Sequence, residues 1–326
     1  MRDHSLAGDA GFGSFFRYHG WLSPGVRLFR RLNFPAKSAW IAVMFLVPIV
    51  LLIADSWNNT RVQIATTEHE LQGVAFARPL HELIRQAQLR RLHAVTKSSE
   101  LNGSQTAVAQ AFTKLQAVDK EMAKALDTGN AMGAAAKLHQ AVMANPTGKD
   151  EQTTFELHNE YIDALLALGE HVSDTSELSL DPQLETFHLM NYAILYGPQQ
   201  MENVSELSVL GWAALKAGQK SEFLNERINQ DFGILRFVDN IVENAYIRST
   251  GGTAEADAKF GMKANDDAYD AFQEASKKQL LGEKVEGDAD TYLKMGSASL
   301  EAERLLNEKM LAQLELRLGE RIVSLR

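Results

Sequence analysis

The run Ala39–Ala54 (AWIAVMFLVPIVLLIA) constrains this chain more than any other feature. Its only polar side-chain group is the Trp40 indole N–H. Sixteen residues fall short of the ~20 that a transmembrane helix needs, and the flanks supply the difference. Phe34, Pro35 and Ala36 extend the apolar character backwards, and Lys37 can reach the headgroups along its own stem. Trp40 and Trp57 stand near the two ends, where indoles favour the interface. Pro48 would break a soluble core helix, whereas a spanning helix tolerates it. The run starts too far from Met1 to be the core of a signal peptide and lacks a small-x-small cleavage site. The expected division is a basic segment over 1–37, a transmembrane helix over 38–57 and one large region over 58–326.

Charge sets the orientation. Residues 1–37 carry Arg2, Arg17, Arg27, Arg30, Arg31 and Lys37 against Asp3 and Asp9, a balance of +4, which leaves −13 of the chain's net −9 on residues 38–326. The positive-inside rule places the N-terminus in the cytoplasm and the large region outside the inner membrane. Phe15, Phe16, Trp21, Phe29 and Phe34 are interleaved with the basic residues. Two forms are open to that segment: an interfacial helix on the inner leaflet, or a disordered tail.

Composition removes several function classes. The chain has no cysteine, so packing alone must hold the external region, without disulfides or thiolate metal sites. Its acidity argues against a nucleic-acid partner. HExxH, GxSxG and P-loop patterns are missing, and no two histidines stand four apart. The expectation is a protein that is not an enzyme, with no catalytic residues, no metal site and no cofactor.

The large region reads as helix throughout, an all-α class. Turn signals fall at Asn102-Gly103-Ser104, 127–130, 145–148, Asp181-Pro182, Gly197-Pro198, Gly218, Gly251-Gly252 and 282–287. Between them apolar residues recur at three and four, most clearly through Tyr292, Met295, Ala302, Leu306, Met310, Leu314, Leu318, Ile322 and Leu325. No stretch alternates with period two, so no sheet is expected. An elongated antiparallel bundle fits, and its length exceeds four helices of ~40 residues, which suits two stacked modules or a bundle with additional shorter helices. The shorter pieces lie at 103–144 and 253–281.

Polar residues inside apolar stripes mark candidate sites, because burying them requires a partner. At about 100° per residue, Arg91 falls about 20° from Leu80, inside the stripe Leu80, Leu83, Ile84, Ala87. Arg90 lies on its flank, while Arg78, His81 and Arg85 point away. His158 falls about 40° from Ile162, inside the stripe of the helix near 155–172. Arg91 has two readings, a buried ion pair or the cation for an anionic ligand such as a carboxylate. His158 is either a satisfied core histidine or a site residue, and Tyr161, Tyr192 and Asn191 either line the same space or serve as packing and capping residues.

The stretches RLNFPAKSAWIAVMFLVPIVLL and ELQGVAFARPLHELIRQAQLRR resemble the start of membrane-bound bacterial chemoreceptors and related sensors. The turn V-x-D-x-S-x-L-x-L-D-P within HNEYIDALLALGEHVSDTSELSLDPQLETFHLMN, and the closing LEAERLLNEKMLAQLELRLGERIVSLR, are similar to later parts of the same family. The resemblance implies an all-helical, dimeric, periplasmic ligand-binding domain between two spans, whose second membrane helix shifts on binding. Of the family's His-Arg-Gly triplet only Arg91 matches, since the chain has Arg90-Arg91-Leu92. No second apolar run precedes Arg326, and the expectation is a piece cut before it. Two functions follow as expectations: a sensor of a small anionic ligand, with Arg91, Arg90, His158, Tyr161 and Tyr192 at its site, or a membrane-tethered helical adaptor for a partner protein.

Overall fold

A computed structural model describes residue 30, residues 32–282 and residues 284–326. The two forms open to the basic N-terminal segment therefore lie outside the described residues. Among those residues every regular element is a helix and there is no strand, as the all-α expectation required. The chain divides into two compact units, one ending at Val62 and one covering Gln63–Arg326.

Helix α1 covers Phe34–Val95 without interruption. The expected boundary after residue 57 is thus not a break in helix. Polar side chains there stay within helical register: Asn59 Nδ2 donates to Asp55 at 3.2 Å and Thr60 Oγ1 to the Ser56 carbonyl at 3.0 Å. Neither glycine nor proline occurs between Pro48 and Gly73 to interrupt it. Within the first unit the apolar part of α1 is long and apolar enough to cross a membrane, and none of it is buried against protein. Trp40, Met44, Phe45, Leu51, Leu52 and Trp57 all stand exposed. Surface of that kind is unfavourable in water by about 25 cal/mol per Å2.

The second unit continues with α2 (Leu101–Met122), α3 (Gly129–Ala144) and α4 (Glu151–Thr175). A 3₁₀ turn (Leu178–Leu180) leads to α5 (Leu184–Met190), a π turn (Asn191–Tyr196) and α6 (Gly197–Ala217). Then come α7 (Glu222–Thr250), α8 (Ala254–Phe260), α9 (Met262–Leu280) and α10 (Ala289–Leu325). Local chemistry fixes the ends. Asp150 and Thr153 form a reciprocal capping box at the start of α4, and Ser221 and Asp288 accept the N3 backbone N–H of α7 and α10. Gly218 and Gly251 close α6 and α7 at φ 66° and 83°, where any other residue would be strained.

Two turn expectations are corrected. Asn102-Gly103-Ser104 lies inside α2; the chain turns just before it, over residues 96–100, with Lys97 at φ 53°. Gly197-Pro198 does not end a helix either. Pro198 occupies the first turn of α6, where a missing N–H costs least, and the π turn before it absorbs the change of register.

Apolar packing follows chain order. Phe76, Leu80, Leu83 and Ile84 of α1 share one core with Phe112 and Leu115 of α2, Met132 of α3 and Ile162, Leu165 and Leu168 of α4. Helices α5 to α10 build most of two further cores, to which α1 adds Val74 and Ala77 in one and Val95 in the other, beside Phe155 of α4. One joins the π turn, α7, α8 and α10 around Tyr192, Val242, Met310 and Leu314. The other joins α6, α7, α9 and α10 around Leu207, Ile228, Phe272 and Tyr292.

Candidate functional site

Arg91 is fully buried, and side chains of the protein itself surround its guanidinium. Nη1 donates to Asn159 Oδ1 at 2.6 Å and pairs with Glu202 Oε1. Nη2 donates to Glu202 Oε2 at 3.1 Å and to Ser205 Oγ at 2.8 Å. Gln88 adds a bond to Glu202 Oε2 at 2.9 Å. Asn159 also donates to Glu206, which accepts from Arg227 at 2.8 Å. The Phe155 ring lies 5.3 Å from the Arg91 Cζ and 5.9 Å from the Arg227 Cζ, a cation–π floor under both. Of the two readings of Arg91, the internal ion pair is the arrangement in the structure. Burial raises the Glu202 carboxyl against the pull of Arg91. Asp231, buried beside Glu206, is pushed well above the usual carboxylate range by burial and by that neighbour.

The other expected residues do not converge on Arg91. Arg90 turns toward α2 and α3, donating to the Leu101 carbonyl and Ser104 Oγ at 3.2 Å and to the Val142 carbonyl at 3.4 Å. No carboxylate is among those partners. Tyr161 OH meets His139 Nδ1 at 3.0 Å, and the His139 ring stacks on Phe112 at 4.0 Å. His158 Nε2 lies 2.9 Å from the Pro146 carbonyl, which only accepts, so Nε2 carries the proton. Burial pushes His158 down to about 4, leaving the ring neutral. Tyr192 is not in this space at all. It stands on the π turn in the core of α7, α8 and α10, in the field of Glu303. Tyr192 alone stands apart; His158 lies in the field of both Arg91 and Arg90, yet each of these side chains is held by partners of its own, and Arg90 and Arg91 diverge because adjacent helical positions are about 100° apart.

A cleft lies against the face of α1 that carries Arg78, His81 and Arg85, the side chains that the sequence pointed away from the apolar stripe. It opens between α1, α6 and α10, with a volume of about 320 Å3. Arg78, His81 and Arg85 line it from α1, and Glu301, Arg304 and Glu308 line it from α10. Arg85 grips Glu82 at 2.9 and 2.8 Å. Arg304 grips Glu301 at 2.9 and 2.6 Å and Glu308 at 2.5 Å. Arg85 and Arg304 line the same cleft from opposite helices, and Arg304 offsets part of the upward pull that Glu82 exerts on Arg85. His81 is pushed down to about 4 by burial and by Arg78, so it lines the cleft as a neutral ring. Leu92, Met201, Val209, Leu293, Leu300 and Leu311 form the apolar wall. Gln88 and Ser205 form part of the floor, and both bond directly to the Glu202–Arg91 pair. The two gripping glutamates, Glu82 and Glu301, are held by side chains that remain partly in solvent. An incoming carboxylate can replace one of them on an arginine face while an apolar body packs against the wall.

The signal for this cleft was the series Arg78, His81 and Arg85 at i, i+3 and i+7 on one face of α1, with a matching arginine on α10 visible only once the two helices are brought together. Among the described residues no group of three or more His, Asp or Glu has the geometry to hold a metal ion. No protein-family model, curated protein or solved structure matches this chain.

Proposed function

We propose that the chain is the ligand-sensing, extracytoplasmic part of a membrane-anchored signal transducer of the chemoreceptor type, acting as a homodimer without catalysis. The apolar part of α1 is its inner-membrane anchor, with the N-terminus cytoplasmic and residues 63–326 in the periplasm. The ligand is a small amphipathic carboxylate. Its carboxylate lies between Arg85 and Arg304, and its hydrocarbon body lies on the leucine wall of the cleft. The observation that carries this reading is the convergence of those two arginines from α1 and α10 onto one cleft. Occupancy draws both guanidiniums onto a single anion and so biases the spacing of the two helices, a coupling of binding to conformation. Arg91 serves behind the floor, through Gln88 and Ser205, rather than on the ligand itself.

The test uses the full chain in detergent micelles or nanodiscs, titrated calorimetrically against short aliphatic mono- and dicarboxylates. At least one should bind saturably, and Arg85→Ala and Arg304→Ala should each weaken it roughly tenfold through loss of a charge-assisted pair. Binding that both variants leave unchanged, or no binding across the series, refutes the ligand site. A reporter fused at the C-terminus that proved active only in the cytosol would refute the orientation. The adaptor reading rests on Leu305, Leu316 and Val323, which stand exposed on one helix, α10. It predicts that a partner protein, and no carboxylate, protects those three residues from solvent.

A further inference from the structure

The cleft is polarised along its length, and the helices that flank it give the scale. Helices α1 and α10 run antiparallel: Arg78 pairs with Glu315, Arg321 Nη1 meets Glu70 at 2.9 Å and Arg326 meets Glu68 at 3.2 Å. Helix α6 runs against α10 as well. Asn307 donates to the Ala193 carbonyl, just ahead of α6, at 3.2 Å, and Trp212 Nε1 donates to Asp290 at 3.1 Å. In that register the charged lining residues gather at one end, as Arg78, Glu82 and Arg85 on α1 and Glu301, Arg304 and Glu308 on α10. Past Arg85 on the one helix and Glu301 on the other, no lining residue carries charge. Leu89, Leu92, Val209, Leu293 and Leu300 line that remainder beside serine hydroxyls. The four leucines are each half-buried, so the apolar end is reached from solvent. One turn beyond Val209 and Leu293 the Trp212–Asp290 bond ties α6 to α10, and the lining stops there.

Helix geometry converts that polarity into a length. At ~1.5 Å per residue, the apolar lining reaches about 10 Å from Arg85 to Leu92 and about 16 Å from Arg304 to Leu293. An extended hydrocarbon, with bonds of ~1.5 Å at an angle of about 111°, advances roughly 1.25 Å per carbon, so these distances take about eight to twelve carbons. We propose that the ligand of this cleft is an unbranched medium-chain monocarboxylate, a fatty acid of about eight to twelve carbons lying along α10 with its methyl end between Val209 and Leu293. This rests on the carboxylate reading above and adds the class and the direction of the ligand. A short acid would leave the leucine end to water. A diacid of the same length would bring a second charge to an end where no lining cation stands. The volume of about 320 Å3 lies at the low end of the ~300–1,000 Å3 usual for small-molecule sites, room for one such chain.

The test titrates butyrate, hexanoate, octanoate and decanoate into the full chain in nanodiscs by calorimetry, with the heats into empty nanodiscs subtracted. Affinity should rise about threefold with each added methylene. Sebacate, the diacid as long as decanoate, should bind at least about tenfold more weakly than decanoate. Leu293→Ser and Leu300→Ser should each weaken decanoate about fivefold and leave butyrate unchanged, a split that a merely loosened fold would not give. The wild-type series needs no variant, so it carries the test alone if either substitution does not fold. Equal affinity for butyrate and decanoate, or for sebacate and decanoate, with the dependence on Arg85 and Arg304 intact, would overturn this inference and leave the carboxylate site standing. A rise with length that Arg85→Ala and Arg304→Ala leave unchanged would overturn the carboxylate reading, and the fatty-acid assignment with it. Binding of none of the acids would overturn both.

Discussion

Replacing Arg91 by alanine should weaken the fold severely, and the structure says by how much. The wild-type guanidinium makes four side-chain hydrogen bonds inside the core, two of them to Glu202. Alanine leaves the Glu202 carboxylate buried and opposed by Glu206, with only Gln88 still donating to it. Breaking one side of a buried ion pair costs about 3–5 kcal/mol. Glu202 is already raised to about 7, so in the variant it can take up a proton and recover part of that loss. The penalty should therefore be near the upper end of the range at pH 8 and visibly smaller at pH 5. For a unit of this size each kcal/mol lowers Tm by roughly 2–4 °C, so the expected drop at pH 8 is on the order of 10 °C. Circular dichroism melts of the full chain in micelles at both pH values provide the measurement. The double variant Arg91→Met/Glu202→Met removes both charges and should regain most of the loss. A single variant melting within about 2 °C of wild type would refute the pairing and return Arg91 to the role of a cation free for ligand.

Two further outcomes follow from the same geometry. His81, His93, His139, His158 and His188, all shifted downward in the folded protein, still take up protons on unfolding near the ordinary histidine value of 6.5, so around neutrality they make stability rise with pH. Glu70 and Glu202, each raised to about 7, bind more protons in the folded state and contribute the opposite slope, stability lost as pH rises through 7. Wild type should therefore lose stability relative to Glu202→Gln as pH rises through 7, and a difference in Tm between the two that stays constant across that window would contradict the assignment. Two glycines should respond in opposite directions to alanine. A Cβ at Gly211 would lie 2.7 Å from Tyr292 Cζ, whereas one at Gly233 meets nothing within 4 Å. Urea denaturation should show Gly211→Ala losing about 1–3 kcal/mol and Gly233→Ala gaining about 0.5–1 kcal/mol.

Much of the helical framework was legible because its signals are local. The Asp150 box, Gly218 and Gly251 each act within one turn, and each marks a real helix end. Gly197-Pro198 misled because the same dipeptide serves a turn and the first turn of a helix equally well, and the preceding π turn has no compositional signature. Arg91 and His158 were correctly read as interior positions, since periodicity reports burial. Their partners were not legible. Glu202 and Glu206, four apart and so on one helical face, carried a usable hint, yet only the packing of α6 on α1 tells which cation they meet. Arg78, His81 and Arg85 read as solvent-facing because a helical wheel has no knowledge of the neighbour that stands off and leaves a cleft.

The π turn over Asn191–Tyr196 holds one residue more than an α-helical path would use. Excising a single codon there would restore ordinary winding and swivel everything downstream by about 100°. Glu202 would then swing off its guanidinium and Ser205 off the floor beneath the leucines. One surplus amino acid thus acts as the index pin of the whole molecule, keeping the interior charge balance and the cleft in phase with each other.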